Sequence, residues 1–195
     1  MSYEAMDFSG ILGMDGFSNE LLEIHFELYR GYVKETNELL HRLESMAKGE
    51  LGSTEHAELR RRLGWEFDGM RLHELYFANL GGDGRPPSSG ALYDRLSRAS
   101  GGLDSCLAEF KAVGSIRGVG WAILYFDSES GRVHNFWVGE HDCGHLVGGT
   151  PLLVMDVWEH AFMTDYGTSR DEYIEAFLAN VDWRVVEKRL NAARR

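Results

Sequence analysis

Asp156-Val157-Trp158-Glu159-His160 carries more potential chemistry than any other stretch of this chain. A short apolar run, Pro151 to Met155, leads straight into it and has the length of a buried strand. A carboxylate and an imidazole four residues apart converge on one point if the chain turns from strand into helix between them. Asp with His at that spacing is half of a metal site, a hard oxygen beside a nitrogen. Asp156 also has a simpler reading, as the N-cap of the helix that follows.

The other half has to come from elsewhere in the chain, and there are eight histidines. His41, His56 and His134 read as surface residues. His25 lies among Leu21, Leu22, Leu28, Tyr29 and Tyr32, and His73 among Met70, Phe77 and Leu80, so both sit on apolar helix faces. A lone histidine on such a face is more often a core residue than a ligand. Periodicity alone therefore assigns neither. If the two helices pair antiparallel, His25 near the start of one meets His73 near the end of the other. With Asp156 and His160 this gives three imidazoles and one carboxylate, a set suited to iron, manganese or zinc rather than calcium or magnesium.

The elements that must bring these residues together can be read along the chain. Ser18 caps a helix running to about Met46, and Ser53 or Thr54 caps a second one running to about Leu80, an αα-hairpin. Gly81 to Gly90 is the Gly/Pro/Ser-rich break and the expected boundary between a helical domain, 1–84, and a second domain, 85–195. Beyond it, 91–99 and 103–113 read as helices. Stretches 118–126 and 132–138 read as a hairpin around the turn 127–131, and 151–155 as a third strand. Stretches 159–164, 170–180 and 183–194 are expected to be helical. The fold class is α+β: a long α-hairpin, then an α/β domain with a small three-stranded antiparallel sheet flanked by helices.

Composition narrows the function. The chain has 195 residues and 44% hydrophobic residues, enough for a real core. A net charge of −11 argues against nucleic acid as the partner. No apolar run has the length of a membrane span, and the polar start gives no secretory signal. Cys106 and Cys143 form no motif, which fits reduced thiols and a cytoplasmic setting.

Asp156-Val157-Trp158-Glu159-His160-Ala161-Phe162 resembles the signature D-x-W-E-H-A-(Phe/Tyr) of the iron/manganese superoxide dismutase family. Asp165-Tyr166, Arg170, Tyr173-Ile174 and Val181-Asp182-Trp183 continue the pattern, and Gly118-Val119-Gly120-Trp121-Ala122 resembles the family's strand with G-x-G-W. His25 with Tyr32-Val33 and Asn37, and His73-Glu74-Leu75-Tyr76-Phe77, resemble its two long helices. The resemblance implies a superoxide dismutase with one ion per subunit, iron ahead of manganese. Its ligands would be His25, His73, Asp156 and His160, with solvent as the fifth. It implies a homodimer in which Glu159 bridges to the opposite subunit. Trp121, Trp158, Phe77 and Arg170 would surround the site. A metal-binding relative with little dismutase activity or another redox role is the alternative.

Departures from the family pattern fall around the ligands. The helix position that can supply a side-chain donor to the metal-bound solvent is Gly69, which has none. The corresponding loop position is His141, with His145 as the fallback. Tyr32 comes seven residues after His25 instead of eight and is the expected gateway phenol. Tyr29 and Met163 stand where the family has a His and a Tyr that meet across the dimer. Arg30, Lys34 and Arg170 are candidates for local steering of an anionic substrate.

Overall fold

The computed structural model describes residues 2–99 and 101–194. Two long helices form first, α1 (Asn19–Ser45) and α2 (Thr54–Ala78). Ser18 and Ser53 cap them, each hydroxyl accepting a main-chain N–H three residues on. Their packed faces carry His25, Tyr29, Tyr32 and Val33 on α1 and Met70, His73, Tyr76 and Phe77 on α2.

Two shorter helices, α3 (Gly90–Arg98) and α4 (Leu103–Gly114), lead to the strands β1 (Gly120–Asp127), β2 (Arg132–Gly139) and β3 (Gly149–Asp156). The sheet is antiparallel in the order β2-β1-β3, so β1 is central and almost wholly buried. A bulge interrupts the β1–β3 ladder, where Leu124 faces Leu153 but Tyr125 faces Pro151. Pro151 has no N–H for the ladder, and the extra residue, Leu152, gives its carbonyl to Arg189 at 2.8 Å. After β3 the chain makes a 3-10 turn (Glu159–Ala161) and three helices, α5 (Met163–Tyr166), α6 (Arg170–Ala179) and α7 (Trp183–Ala193).

Two expectations shift. The 159–164 stretch is not one helix, because Phe162, at φ −144°, separates the 3-10 turn from α5. The first strand starts at Gly120 rather than Gly118, whose carbonyl is taken by Arg170.

The segment after α2 is stitched to the end of α6. Gly82 and Gly84 donate to the carbonyls of Asn180 and Val181, and Asp182 donates to Asn79. Arg189 of α7 reaches the carbonyls of Leu75 and Leu152 and the side chain of Asn79. The hairpin's far end and the sheet's third strand are thus held at one place, beside the site. Among the described residues no helix is long and apolar enough to cross a membrane.

Candidate metal centre

Asp156 is the last residue of β3 and lies opposite Trp121 of β1. Its carbonyl accepts the Tyr173 hydroxyl at 2.6 Å, and its Oδ1 accepts the main-chain N–H of Trp158 at 2.8 Å. This local contact, made ahead of the 3-10 turn whose N-cap is Trp158, orients the group and leaves Oδ2 facing inward. There Oδ2 lies 3.3 Å from His25 Nε2, 3.6 Å from His73 Nε2 and 3.1 Å from His160 Nε2. His25 comes from α1, His73 from α2 and His160 from the 3-10 turn. The four ligand atoms lie within 4.8 Å of one another.

Their chemistry fits a cation. His73 Nδ1 is 2.6 Å from the Gly69 carbonyl, which only accepts, so Nδ1 carries the proton and Nε2 presents a lone pair. His73 Nε2 and both ring nitrogens of His25 are buried with no hydrogen bond, an uncommon state for polar atoms. Burial holds both rings below the usual histidine range, so they are neutral and able to ligate. Burial works to raise the Asp156 carboxyl, but the imidazoles that face it, His160 first and then His25, outweigh burial and hold the group well below the usual range. Three nitrogens facing one ionised oxygen, three of the four residues fully buried, form a cavity whose donor set could hold a metal ion.

Around it runs a chain of polar and aromatic contacts. Trp121 Nε1–H donates to His141 Nδ1 at 3.1 Å, and His141 Nε2 lies 2.8 Å from the Tyr32 hydroxyl. Trp121 can only donate, so the neutral His141 ring carries its hydrogen on Nε2 and donates it to Tyr32 Oη. Burial pushes the His141 ring down to about 4. Burial, with the charges of Asp156 and Glu66, raises the Tyr32 phenol, which keeps its proton. Tyr32 stacks on His73 at 5.0 Å, and Trp158 stacks on His141 at 4.9 Å and on His160 at 5.9 Å. Phe77 packs edge-on against His25 at 4.8 Å. Gly69 makes room for Tyr32: a Cβ there would fall 2.7 Å from the phenol ring.

Other expected residues lie elsewhere. Tyr29 does not reach a surface where a partner could touch it. It is 1% exposed, its hydroxyl bonded to Met6 N–H and Glu74 beneath the N-terminal segment. Arg170 touches none of the four ligands; it holds the carbonyls of Ile116 and Gly118 and lies over Phe162. Arg30 pairs with Glu27, and Lys34 lies 3.9 Å from Glu35, both on the solvated face of α1. His145 contacts Tyr125 and the His141 carbonyl instead of the cavity. Met163 is 49% exposed beside Glu159, on a groove of about 600 Å³.

Sequence reasoning missed Trp65. Its ring packs 4.5 Å from His141 and 5.6 Å from Tyr32, and its Nε1 donates to Glu140. Arg62 lies over its outer face at 4.1 Å and pairs with the buried Glu66. Trp65 lies two helical turns before His73, a spacing that returns to the same face of α2 and was its one visible signal. The reading also gave no role to the hydroxyls of Tyr173 and Tyr76, which meet at 3.2 Å behind Asp156.

A buried cluster of three histidines and one carboxylate, at the seam of a helical hairpin and a three-stranded sheet, could hold one metal ion. Residues 88–189 match the family model for iron/manganese superoxide dismutases, C-terminal domain. An iron superoxide dismutase from Aquifex aeolicus is 39% identical over 186 residues, 92% of this chain and 87% of the relative. One from Saccharolobus solfataricus is 33% identical over 181 residues, covering 89% and 85%. "Superoxide dismutase [Mn] 2" from Haloferax volcanii is 36% identical over 168 residues, covering 85% and 83%. The chain belongs to the iron/manganese superoxide dismutase family.

Proposed function

We propose that this chain is a superoxide dismutase that converts superoxide to dioxygen and hydrogen peroxide, with His25, His73, Asp156 and His160 holding one iron or manganese ion. The observation that carries this is the meeting of four ligand atoms where His73 Nε2 and both ring nitrogens of His25 are buried with no hydrogen-bond partner. When bound, the ion would supply one-electron redox chemistry between its +3 and +2 states, which disproportionation of superoxide requires.

The chain's own residues govern the ion's surroundings and the protons. The carboxylate of Asp156 favours the higher charge, while the neutral imidazoles temper it. Tyr32 and His141 together hold a proton at the edge of the cavity. His141 Nε2–H occupies a lone pair of Tyr32 Oη, so the phenol hydrogen is free to point at an anion entering the site. Trp121, Trp158 and Trp65 enclose that pair and exclude bulk water, which strengthens each hydrogen bond inside. His141 thus takes the part of the side-chain donor that the family's loop position can supply.

Further parts of the reading concern assembly and place. The chain acts as a homodimer through the face carrying Glu159 and the exposed Met163, which also leaves the His160 side chain 21% exposed. The helical hairpin, 1–84, and the sheet-containing part, 85–195, are its two domains, each giving two ligands. Its setting is the cytoplasm. Asp156→Ala should abolish both stable metal binding and superoxide disproportionation; retention of full activity would refute the site.

A further inference from the structure

His141 reaches the cavity from the loop between β2 and β3, which has no regular structure of its own. Something must hold that loop, because an imidazole displaced by about an ångström would lose Tyr32, Trp121 or both. We propose that His145 is the positioning residue that sets where His141 sits. This rests on the reading that His141 and Tyr32 edge the metal's open side.

The geometry is specific. His145 Nε2 lies 2.8 Å from the His141 carbonyl. A carbonyl only accepts, so Nε2 must carry the hydrogen. Tyr125 Oη is 2.7 Å from His145 Nδ1 and, with the ring neutral, donates to it, which selects that tautomer. Asp68 Oδ2 stands 3.6 Å from Nε2. Tyr125 is buried in the central strand β1, the strand that also carries Trp121. Asp68 belongs to α2, the helix that also carries His73. His145 therefore references the His141 backbone to the same two elements that position its imidazole partner and a metal-binding residue. Other contacts hold the loop on the far side of His141: Gly139 and Cys143 exchange both main-chain hydrogen bonds, and Glu140, at φ 49°, donates its N–H to the Val119 carbonyl and accepts from Trp65 of α2, but none of these reaches the His141 carbonyl.

The test uses the iron-loaded protein and reads its reduction potential, its activity and its unfolding temperature. Tyr125→Phe keeps the core packing and removes one hydroxyl; His145→Leu removes both contacts; His145→Gln retains a donor for the carbonyl. His141→Ala is the reference. The expected result is that His145→Leu shifts the potential in the same direction as His141→Ala. It should also cost about tenfold in activity, as loss of an outer partner of a metal site does. Tyr125→Phe should give a smaller shift of the same sign, and His145→Gln should restore most of the loss. If His141→Ala shifts the potential but His145→Leu and Tyr125→Phe do not, the positioning role is overturned and the site stands. If His145→Leu lowers the unfolding temperature alone, the contact is structural only and the proposal fails. If not even His141→Ala moves the potential, the reading of His141 fails, and the proposal with it.

Discussion

His141 shows how one side chain links the site to the pH dependence of the fold. Its ring is pushed down to about 4 by burial, from an ordinary value of 6.5. Between those values the unfolded chain binds a proton that the folded chain does not. The stabilising effect of a neutral His141 is therefore complete above pH 6.5 and lost as pH falls toward 4, by about 1.4 kcal/mol per pH unit. His25 and His73 are lowered as well, so the difference between variants is the informative quantity. His141→Gln should flatten the dependence of unfolding free energy on pH in this window, as read from denaturant titrations. A glutamine can accept from Trp121 and donate to Tyr32, so this variant should keep its activity within about tenfold. An unchanged slope would mean that His141 titrates as a solvent-exposed histidine does.

The elements act as jigs for the site. Gly120 opens β1 at φ 154°, and a Cβ there would meet the Val138 carbonyl at 2.1 Å. Gly120→Ala should therefore cost about 3 kcal/mol and disturb the neighbouring Trp121, measurable as a lowered midpoint in urea with altered tryptophan fluorescence. Arg189 is the other jig. Burial pulls its guanidinium down to about 10, and the oxygens of Leu75, Asn79 and Leu152 satisfy it in place of any carboxylate. Arg189→Met should destabilise by about 2–4 kcal/mol, because the Leu75 and Leu152 carbonyls would lose their side-chain donor while Asn79 keeps the Val154 N–H. A loss under 0.5 kcal/mol would show that water replaces the side chain.

Most elements were legible in the sequence because burial leaves a period. The stripe of His25, Tyr29 and Tyr32 outlines α1, and the apolar run into Asp156 outlines β3. What was not legible has no period. Trp65 with Glu140, Tyr125 with His145, and Arg189 with Leu75 and Leu152 are side-chain contacts between distant segments, chosen by packing. Tyr29 holds the family position expected at the dimer contact, and in the folded chain the N-terminal segment covers it. Arg170 likewise holds a family position expected around the site, and its partners are two carbonyls ahead of β1.

For the whole molecule, the charge and the exposed apolar surface set the terms. At −11 the chain repels superoxide at long range, so capture depends on the short-range donors of the pocket. Met163, in the groove beside Glu159 and Phe162, is a large apolar side chain left 49% exposed. Met163→Glu should shift sedimentation from dimer to monomer without unfolding the chain; a wild-type protein that already sediments as a monomer would contradict the proposed assembly.

The central claim is that one redox metal in the three-histidine, one-carboxylate cavity disproportionates superoxide. The most direct measurement strips the purified protein of metal, reloads it separately with iron, manganese or zinc, and records metal content beside superoxide decay. The account predicts one ion per chain in each case, with disproportionation restored by iron or manganese and absent with zinc, which cannot change oxidation state. Full occupancy by both iron and manganese without disproportionation, or activity that survives stripping, would contradict it.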